Sequence, residues 1–385
     1  MPVGREEREA VTRRVQEDID KLFDGWVHYE FSKCRMDLFA KFDKNELTLG
    51  KEMGRGQFGV VCSLQKVDDT KPGDAKWVAE RKHIARSCIK EDNTPRYAVK
   101  CVNPDLATNA HRYYQAARDL AVEAHFLAAL DHPNIIKMRG LSTDEIGGPQ
   151  FFIILDMLAA SLKDRLERWN LKERKLSTFS GKMMDPTGKK SKAIMADKLK
   201  IGHDLINAIS FLHKNHILHR DVKPENVGFD AQGELRLFDF GLSLEFNPEW
   251  EKPYNLPCNA GTMRYMAPEF FLKQGFEETI DVYAFGIIMW EILTVRKPFS
   301  GMSEIQFKEM VMKRGQRPEI DKNWPEPLQN LLVKCWAPTF QERPSSKVAF
   351  TVMKALIDGE GGNVNRNLRH SAHEQRRMVD SSLNV

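Results

Sequence analysis

The sequence predicts an α+β fold of two lobes, with a small strand-rich first part that holds one main helix and a larger helical second part. Apolar and polar residues alternate from Leu47 to about Lys66, and shorter apolar runs at 97–102 and 151–157 are also typical of strands. Between Leu199 and about Ile357 the apolar residues recur at helical spacing instead. Strands and helices that are segregated in this way favour two packed bodies with a cleft between them.

The composition is that of an ordinary folded protein and argues against several other classes. Of the 385 residues, 42% are hydrophobic and 29% are charged, so the chain can bury a large core. The net charge of +4 is small for this length, and no nucleic-acid partner is expected. The six cysteines form no C-x-x-C pair, and no apolar run is long enough for a transmembrane segment. We expect a cytoplasmic protein with reduced thiols, and nuclear access stays open.

Changes of pattern along the chain predict one central domain and two extensions. Charged and punctuated stretches predict an insert in each lobe, and the basic insert of the second lobe is expected to be a surface loop. A polar C-terminal stretch predicts a disordered tail. The expected boundaries are 1–45 for the N-terminal extension, 46–357 for the domain, about 46–155 for the first lobe, 66–95 for its insert, about 159–357 for the second lobe, 172–192 for its insert and 358–385 for the tail.

The N-terminal extension carries the pattern of an amphipathic helix. Its apolar residues recur at Val11, Val15, Ile19 and Leu22, between clusters of charge. Two interpretations stay open, because such a helix either packs on the body of the protein or binds a partner.

A glycine-rich turn lies between the first two predicted strands. Residues 54–59 read GRGQFG, and glycine lets backbone N–H groups approach phosphate oxygens because no Cβ holds them away. Dinucleotide-binding turns share this pattern but lead into a helix, whereas Val60 and Val61 continue as a strand. A glycine flap over phosphates, residues 54–59, fits better, although this motif alone also suits a plain hairpin.

A lysine at the end of an apolar strand gives the second signal. Lys100 follows Ala98 and Val99, and an ammonium beside apolar residues is costly unless an anion pairs with it. Glu123, in the helical stretch from His111 to Leu130, is the natural partner. Each residue alone is more often a solvated surface charge, but their order and spacing favour a pair that holds phosphates.

Two short motifs give the strongest signal. Residues 219–226 read HRDVKPEN and residues 239–241 read DFG, with a predicted hairpin between them. Phosphoryl transfer needs a carboxylate to orient a hydroxyl and hard oxygen ligands for magnesium. Asp221, Asn226 and Asp239 are side chains of that type.

With these motifs in this order, the sequence from about Leu47 to Ile357 resembles the eukaryotic protein kinases. Trp290 and residues 335–344 are similar to those of the tyrosine kinase-like group within that superfamily. The resemblance implies the bilobal protein-kinase fold with an ATP cleft between the lobes. It also implies ATP and Mg²⁺ as cofactors, and transfer of the γ-phosphoryl group to hydroxyls of protein substrates in signalling.

The resemblance implies a role for each motif residue. Asp221 would be the catalytic base, Lys223 a contact of the γ-phosphate, and Lys100 the ion-pair partner of Glu123. The magnesium ligands would be Asn226 and Asp239, and Leu155 would hold the gatekeeper position. The ATP-binding residues would be Met53, Gly54, Gly56, Phe58, Gly59, Val61, Lys100, Asp156 and Leu158. Residues 156–158 would form the hinge, whose backbone would hydrogen-bond the adenine. The structural and regulatory residues would be Arg220, Thr262, Glu269, Asp281 and Arg343, with Glu269 and Arg343 as a salt bridge and Asp281 as the brace of the catalytic loop.

The acceptor and the activation segment, residues 239–269, allow two further expectations. Lys223 and Thr262 favour serine and threonine as acceptors, and dual specificity stays open. Residues 244–260 contain no serine or threonine, so Tyr254 is the only hydroxyl there. We therefore hypothesise that an acidic residue replaces a phosphate opposite Arg220, although merely solvated glutamates explain the sequence equally well. The candidates are Glu245, Glu249 and Glu251.

Two other functions compete with a protein kinase. A pseudokinase scaffold would bind nucleotide and partners without turnover, but it usually lacks the lysine, the base or the magnesium aspartate, which are all present at Lys100, Asp221 and Asp239. A small-molecule phosphotransferase of related fold would lack the glycine flap and the Ala-Pro-Glu motif at 267–269. Both are ranked below the kinase.

Overall fold

The computed structural model describes residues 5–23, 35–68, 75–178, 185, 187–247, 249, 252–254 and 261–359. The described residues within Met1–Ala159 and Asp230–Glu245 form one compact unit, and those within Ala160–Phe229 and Phe246–Val385 form a second. The predicted α+β fold is confirmed, because the first unit is built on a sheet and the second on helices. The predicted tail, from residue 360 onward, lies outside the described residues.

A six-stranded sheet forms the centre of the first unit. The strands are β1 (Ala40–Phe42), β2 (Leu47–Arg55), β3 (Gly59–Val67), β4 (Tyr97–Val102), β5 (Met138–Ser142) and β6 (Phe152–Asp156). Their order in the sheet is β1-β5-β6-β4-β3-β2, with β1 parallel to β5 and the other neighbours antiparallel. The strands predicted around the glycine flap and at 97–102 and 151–157 are confirmed.

The register of the sheet directs Lys100 away from a buried apolar cluster on one of its faces. In β4, Val99 belongs to a buried cluster with Phe152 and Ile154 of β6. Because side chains alternate between the faces of a strand, Lys100 lies on the opposite face, paired in register with Val61 of β3. One face of the sheet is therefore packed, and the other carries the lysine.

Three helices of the described residues pack on this unit: α1 (Arg5–Phe23) from the N-terminal extension, one from the predicted insert 66–95, and one that carries Glu123. Helix α2 (Val78–Ser87) lies in that insert and buries Ile84 in the cluster of the sheet. Its Arg81 pairs with Glu46 at 3.0 Å, and both side chains are buried. Helix α3 (Ala110–Ala129) begins at Asn109, whose side chain accepts a hydrogen bond from the N–H of Arg112. The sequence suggested no role for the insert, and the structure shows that part of it covers the sheet.

The remaining short strands are divided between the two units. Strand β10 (Leu235–Leu237) is held within the first unit, because Leu237 donates to the carbonyl of Asn134 at 2.8 Å and accepts from Ile136 at 3.0 Å. Strand β11 (Leu244–Glu245) also lies in the first unit. In the second unit, β7 (Ala160–Ser161) pairs antiparallel with β9 (Val227–Phe229), and β8 covers Ile217–Leu218.

Packed helices make up the second unit. They are α4 (Leu162–Ser177), α5 (Lys189–Lys214), α6 (Pro268–Phe271), α7 (Thr279–Thr294), α8 (Glu304–Phe307), α9 (Glu326–Cys335) and α10 (Ser346–Ile357). Helix α7 is buried along almost its whole length, as expected for a central helix that is apolar on all sides. Helices α5, α9 and α10 pack around it. No helix in the described ranges is long and apolar enough to cross a membrane.

The prediction of a surface loop at 172–192 is wrong for residues 172–177 and 189–192, which are helical. Helix α4 continues to Ser177, and α5 begins at Lys189, ten residues before the predicted start at Leu199. The lysine, arginine and glutamate residues that resembled a loop are good helix formers. The two helices are also joined by a pair between Glu173 and the buried Lys198, 2.5 Å apart. Residues 179–184 and 186 lie outside the described residues.

Candidate active site

Lys100 lies between two carboxylates of the first unit. Its Nζ is 2.5 Å from Oε2 of Glu123, on α3, and 2.9 Å from Oδ1 of Asp239. Burial of Lys100 disfavours its charge, but the two carboxylates outweigh that effect and raise the pKa of Lys100 above its ordinary value. The lysine is therefore a fixed cation at physiological pH, held in place by charge-assisted hydrogen bonds.

Asp239 has an uncommon backbone conformation. Its φ of 68° lies in the left-handed region, which residues other than glycine seldom adopt. Such conformations persist only where the surroundings impose them, and they cluster at functional sites. Here the hydrogen bond from Lys100 and the pairing of β10 both hold the segment that carries Asp239.

Asp119, on α3, is a further residue of this site, and no motif in the sequence points to it. Burial raises the pKa of the Asp119 carboxyl to about 7, and Asp239 and Glu123 also raise it, while Arg118 and Lys100 lower it. A Cβ placed on Gly241 would lie 3.0 Å from the Asp119 Cβ, so α3 packs closely against the DFG turn. The available signal was spacing, since Asp119 precedes Glu123 by one helical turn on the same face of α3.

The glycine flap is held at its base by an ionic network. The N–H of Gly56 donates to the carbonyl of Gly59 at 2.8 Å, which closes the turn. Arg55 donates twice to Glu52, at 3.0 and 2.7 Å, and also contacts Asn103 and Asp105, at 3.0 and 2.7 Å. The amide of Asn103 in turn donates to the Gly56 carbonyl at 3.3 Å. The flap is thus tied to the chain that follows β4.

The predicted ATP-binding residues in the flap and next to it are only partly enclosed. A Cβ on Gly54 would meet no atom within 4 Å, and one on Gly59 would lie 3.5 Å from the Lys100 Cε. The side chain of Met53 is 51% exposed, which is unusual for a large apolar residue. Phe58 and Val61 are half-buried. These features are suited to a flap that covers a ligand.

The predicted hinge follows β6. Leu155, in the gatekeeper position, is buried, and Leu158 is half-buried. The side chain of Asp156 accepts two hydrogen bonds of 2.7 Å from Arg139. Its carboxylate is therefore paired with an arginine from β5. The backbone of Asp156 is the part of this residue left for contact with an adenine.

In the second unit, three predicted residues surround the carboxylate of a fourth, Asp221. Asp221 is 5% exposed, and its Oδ2 lies 2.5 Å from the Nζ of Lys223. Its Oδ1 accepts from the hydroxyl of Thr262 at 3.1 Å, and that hydroxyl also accepts from Lys223 at 3.1 Å. The amide nitrogen of Asn226 donates to the carbonyl and to Oδ2 of Asp221, at 2.9 and 3.1 Å. The carboxylate of Asp221 is thereby fixed in orientation.

Asp281 braces the loop that carries Asp221. Its carboxylate accepts from the backbone N–H groups of His219 and Arg220, both at 2.9 Å, and from the His213 ring at 3.1 Å. Burial raises the pKa of Asp281, but His213 and His219 outweigh this effect, so the net pKa lies below its usual value. The charged carboxylate supports Arg220, whose φ of 65° is also left-handed.

A buried ion pair closes the activation segment. Arg343 donates to both oxygens of Glu269, at 2.6 and 2.8 Å, and to the carbonyl of Ala337 at 3.1 Å. The guanidinium also lies over the ring of Tyr283, 5.0 Å from its centroid. The pair fixes helix α6 against the helical body of the second unit.

Removal of one partner of this pair is expected to destabilise the protein. Glu269→Ala leaves the Arg343 guanidinium buried without its anion, which costs about 3–5 kcal/mol. Chemical denaturation followed by tryptophan fluorescence measures the loss. The matched control is Asp358→Ala, which breaks the exposed pair with Lys354 and is expected to change stability by less than about 0.5 kcal/mol. Equal stability of both variants would contradict the account of the buried pair.

Within the described part of the activation segment, Tyr254 is anchored rather than exposed. It is 2% exposed and exchanges two backbone hydrogen bonds with Phe276, at 2.8 and 3.1 Å. Its ring packs against Phe246 and Phe276, at centroid distances of 5.5 and 6.2 Å. Lys252 pairs with Glu278 at 2.8 Å. The one hydroxyl that the sequence offers for modification in 244–260 is therefore buried.

The three glutamates proposed to replace a phosphate differ in placement. Glu245 is buried, Glu249 is exposed, and Glu251 lies outside the described residues. The hypothesis of an acidic residue opposite Arg220 stays a prediction.

Comparison with known proteins agrees with this geometry. The family described as "Protein tyrosine and serine/threonine kinase" matches residues 47–351. Human mitogen-activated protein kinase kinase kinase 7 is 27% identical over 324 residues, which are 83% of this chain and 43% of that protein. A probable LIM domain-containing serine/threonine-protein kinase of Dictyostelium discoideum is 31% identical over 229 residues, 59% of this chain and 31% of that protein. The chain belongs to the protein tyrosine and serine/threonine kinase family, and it spans less than half the length of these relatives.

Proposed function

We propose that this chain is an ATP-dependent protein serine/threonine kinase, which transfers the γ-phosphoryl group of ATP to hydroxyls of other proteins. The observation that carries this proposal is the carboxylate of Asp221, fixed by Lys223, Thr262 and Asn226. A carboxylate held in this way can accept the hydrogen bond of a substrate hydroxyl and orient its oxygen for attack. Lys223 supplies a positive charge beside it for the transferred phosphoryl group.

The nucleotide would use the groups of the first unit. Lys100 presents its ammonium to the α- and β-phosphates, and Glu123 keeps that ammonium in place. The glycine flap presents backbone N–H groups to the phosphates, and the exposed Met53 side chain offers apolar surface to the base. The backbone of the hinge, at Asp156 and Leu158, provides the hydrogen bonds to the adenine.

Asn226 and Asp239 each carry the kind of oxygen atom that magnesium binds. Asn226 uses its amide nitrogen towards Asp221, so its oxygen is the atom left to bind a cation, and Asp239 supplies a carboxylate. No group of three or more His, Cys, Asp or Glu side chains among the described residues forms a complete metal cage. Magnesium suits such a set, because it commonly takes one or two protein ligands and completes its shell with phosphate oxygens and water. When bound, it neutralises charge on the phosphates.

The contacts of Lys223 support serine and threonine as acceptors. The Lys223–Thr262–Asp221 triangle joins the catalytic loop to the activation segment, beside the place where an acceptor hydroxyl must approach Asp221. The similar protein of Dictyostelium discoideum is described as a probable serine/threonine-protein kinase.

We also propose a cytoplasmic location for the protein. The free thiols of four described cysteines are compatible with it, namely Cys62, Cys88, Cys101 and Cys335.

A positional peptide library tests the acceptor class. Parallel sets with serine, threonine or tyrosine at the central position are incubated with the full chain, Mg²⁺ and ATP. The proposal expects phosphorylation of the serine and threonine sets and little of the tyrosine set. Phosphorylation of the tyrosine set alone would contradict it, and equal labelling of all three would establish dual specificity instead.

No described feature favours a nucleotide-binding scaffold without turnover. Lys100, Asp221 and Asp239 are all present, and each is held by charged or polar partners. The scaffold would show equal and negligible autophosphorylation in the wild type and in Asp221→Asn.

Turnover is expected without phosphorylation of residues 244–260. The only hydroxyl in that segment belongs to Tyr254, and its aromatic and backbone contacts already anchor the described part of the segment. Treatment with a broad-specificity phosphatase should therefore leave kcat within about twofold. Mass spectrometry checks that phosphate has been removed. A large loss of activity that is restored by rephosphorylation of Tyr254 would contradict this prediction.

A further inference from the structure

Helix α1 (Arg5–Phe23) packs along α3, the helix that supplies Glu123. On α1, Val11, Val15 and Ile19 recur every four residues and form one stripe. Val15 and Ile19 are fully buried, and Val11 is 8% exposed. The packed stripe decides between the two interpretations of this extension within the present structure: the helix lies on its own first unit.

A polar clasp strengthens the contact between the two helices. The hydroxyl of Tyr114, in the first half of α3, donates to the carboxylate of Asp18. The guanidinium of Arg14 lies over the same tyrosine ring, 4.5 Å from its centroid. Arg14 and Asp18 are one helical turn apart, so a single edge of α1 holds both the ring and the hydroxyl of Tyr114.

A second contact ties α1 to the loop between β5 and β6. The hydroxyl of Thr12 lies 3.0 Å from the carbonyl oxygen of Arg8, within α1, and 3.5 Å from that of Gly147, in the loop. Gly147 has a φ of 80°, and a Cβ at that position would lie 2.5 Å from a methyl carbon of Val15. The loop therefore accommodates α1 closely, and α1 contacts both this loop and α3.

The second half of α3 is enclosed. Residues 120–128 are all buried, whereas a helix on a protein surface exposes one face in each turn. Tyr114 precedes Glu123 by nine residues, or about 13.5 Å along one rigid helix. A displacement of α3 at the clasp would therefore also move Glu123, because both lie on the same helix.

We propose that α1 is a positioning element for catalysis, which holds α3 in the place where Glu123 pairs with Lys100. Val15, Ile19, Asp18 and Tyr114 are positioning residues, because they act through Glu123 and touch no substrate. The inference rests on the proposed role of the Lys100–Glu123 pair. In the structure the docked helix and the formed pair occur together, so docking favours the active arrangement of α3.

The principal test compares Ile19→Lys with Glu17→Lys in the full chain. Both add a lysine to α1, but Ile19 is fully buried against the first unit and Glu17 is exposed. Ile19→Lys should lower kcat about tenfold and raise KM for ATP, with an unchanged KM for the peptide substrate, as a loss of coupling through Glu123 requires. Glu17→Lys should match the wild type, and the conservative Ile19→Val should restore most of the activity. Unchanged kinetics of Ile19→Lys would overturn the inference.

Two further variants remove the clasp with less risk to folding. Asp18→Asn and Tyr114→Phe keep the shape of the contact and remove its charge or its hydroxyl. Each should lower kcat several-fold in the same direction as Ile19→Lys, with thermal unfolding close to that of the wild type. A fall in stability without a change in kcat would show a merely structural helix and would overturn the inference.

A double-mutant cycle with Glu123→Gln separates this inference from the proposed function. If α1 acts through Glu123, Ile19→Lys should have little further effect on the residual rate of Glu123→Gln. Independent, multiplying effects would overturn the inference while leaving the role of Glu123 intact. If Glu123→Gln itself keeps full activity, the proposed role of the Lys100–Glu123 pair fails, and the inference fails with it.

Discussion

Asp221→Asn is expected to lower kcat about 10²- to 10⁴-fold, because the amide keeps the shape of the side chain but cannot accept a proton. The fixed orientation of the carboxylate, set by Lys223, Thr262 and Asn226, suggests that the change stays local. The affinity for ATP should remain near that of the wild type, since the nucleotide groups belong to other residues. Steady-state kinetics with a peptide substrate and a separate nucleotide-binding assay measure the two quantities.

A matched control shows whether the effect belongs to Asp221. Glu167→Gln makes the same kind of change, from carboxylate to amide, at an exposed position of α4. It should leave kcat within about twofold, as expected for a surface substitution away from the site. A loss of less than tenfold in Asp221→Asn would argue against Asp221 as the base.

Lys100→Met is expected to lower kcat about 10²- to 10³-fold, because a preorganised cation is lost while most of the aliphatic chain is kept. The change also leaves Glu123, which is 1% exposed, and Asp239 without the cation that they share. The pKa of Glu123 should then rise further, since burial already raises it and the lysine opposes that effect. A protonated Glu123 could no longer act as an anion in the site.

The control for this variant is Lys66→Met, on the exposed part of β3. It removes a lysine from the same sheet without touching the carboxylates, so activity should be unchanged. If Lys100→Met retained most of the activity, the proposed contact between Lys100 and the phosphates would be wrong.

Local patterns allowed much of the fold to be predicted. Strand β4 occupies the predicted residues, Tyr97–Val102, because a buried strand between turns has a short and distinctive apolar run. Helix α3 was expected from His111 to Leu130 and is found at Ala110–Ala129. The boundaries of α4 and α5 were harder, because charged helix formers at 172–177 and 189–192 carry no apolar stripe of their own.

Contacts between distant residues were beyond the reach of these patterns. The Glu46–Arg81 pair, which docks α2 on the sheet, joins residues 35 positions apart, and neither residue differs in sequence from an ordinary surface charge. The same holds for Asp119, whose neighbours Gly241 and Asp239 come from a separate part of the chain. The motif residues could be predicted because each motif, such as HRDVKPEN, is specific in sequence. The contacts that support them could not be predicted, because they depend on the folded arrangement.

The most direct test of the account is transfer of labelled phosphate from γ-³²P-ATP to a serine peptide by the full chain, with and without Mg²⁺, beside Asp221→Asn. The account predicts magnesium-dependent labelling by the wild type, with the label in phosphoserine, and a rate at least about 10²-fold lower for the variant. Labelling that is absent from the wild type under all conditions, or equal in the two proteins, would contradict it.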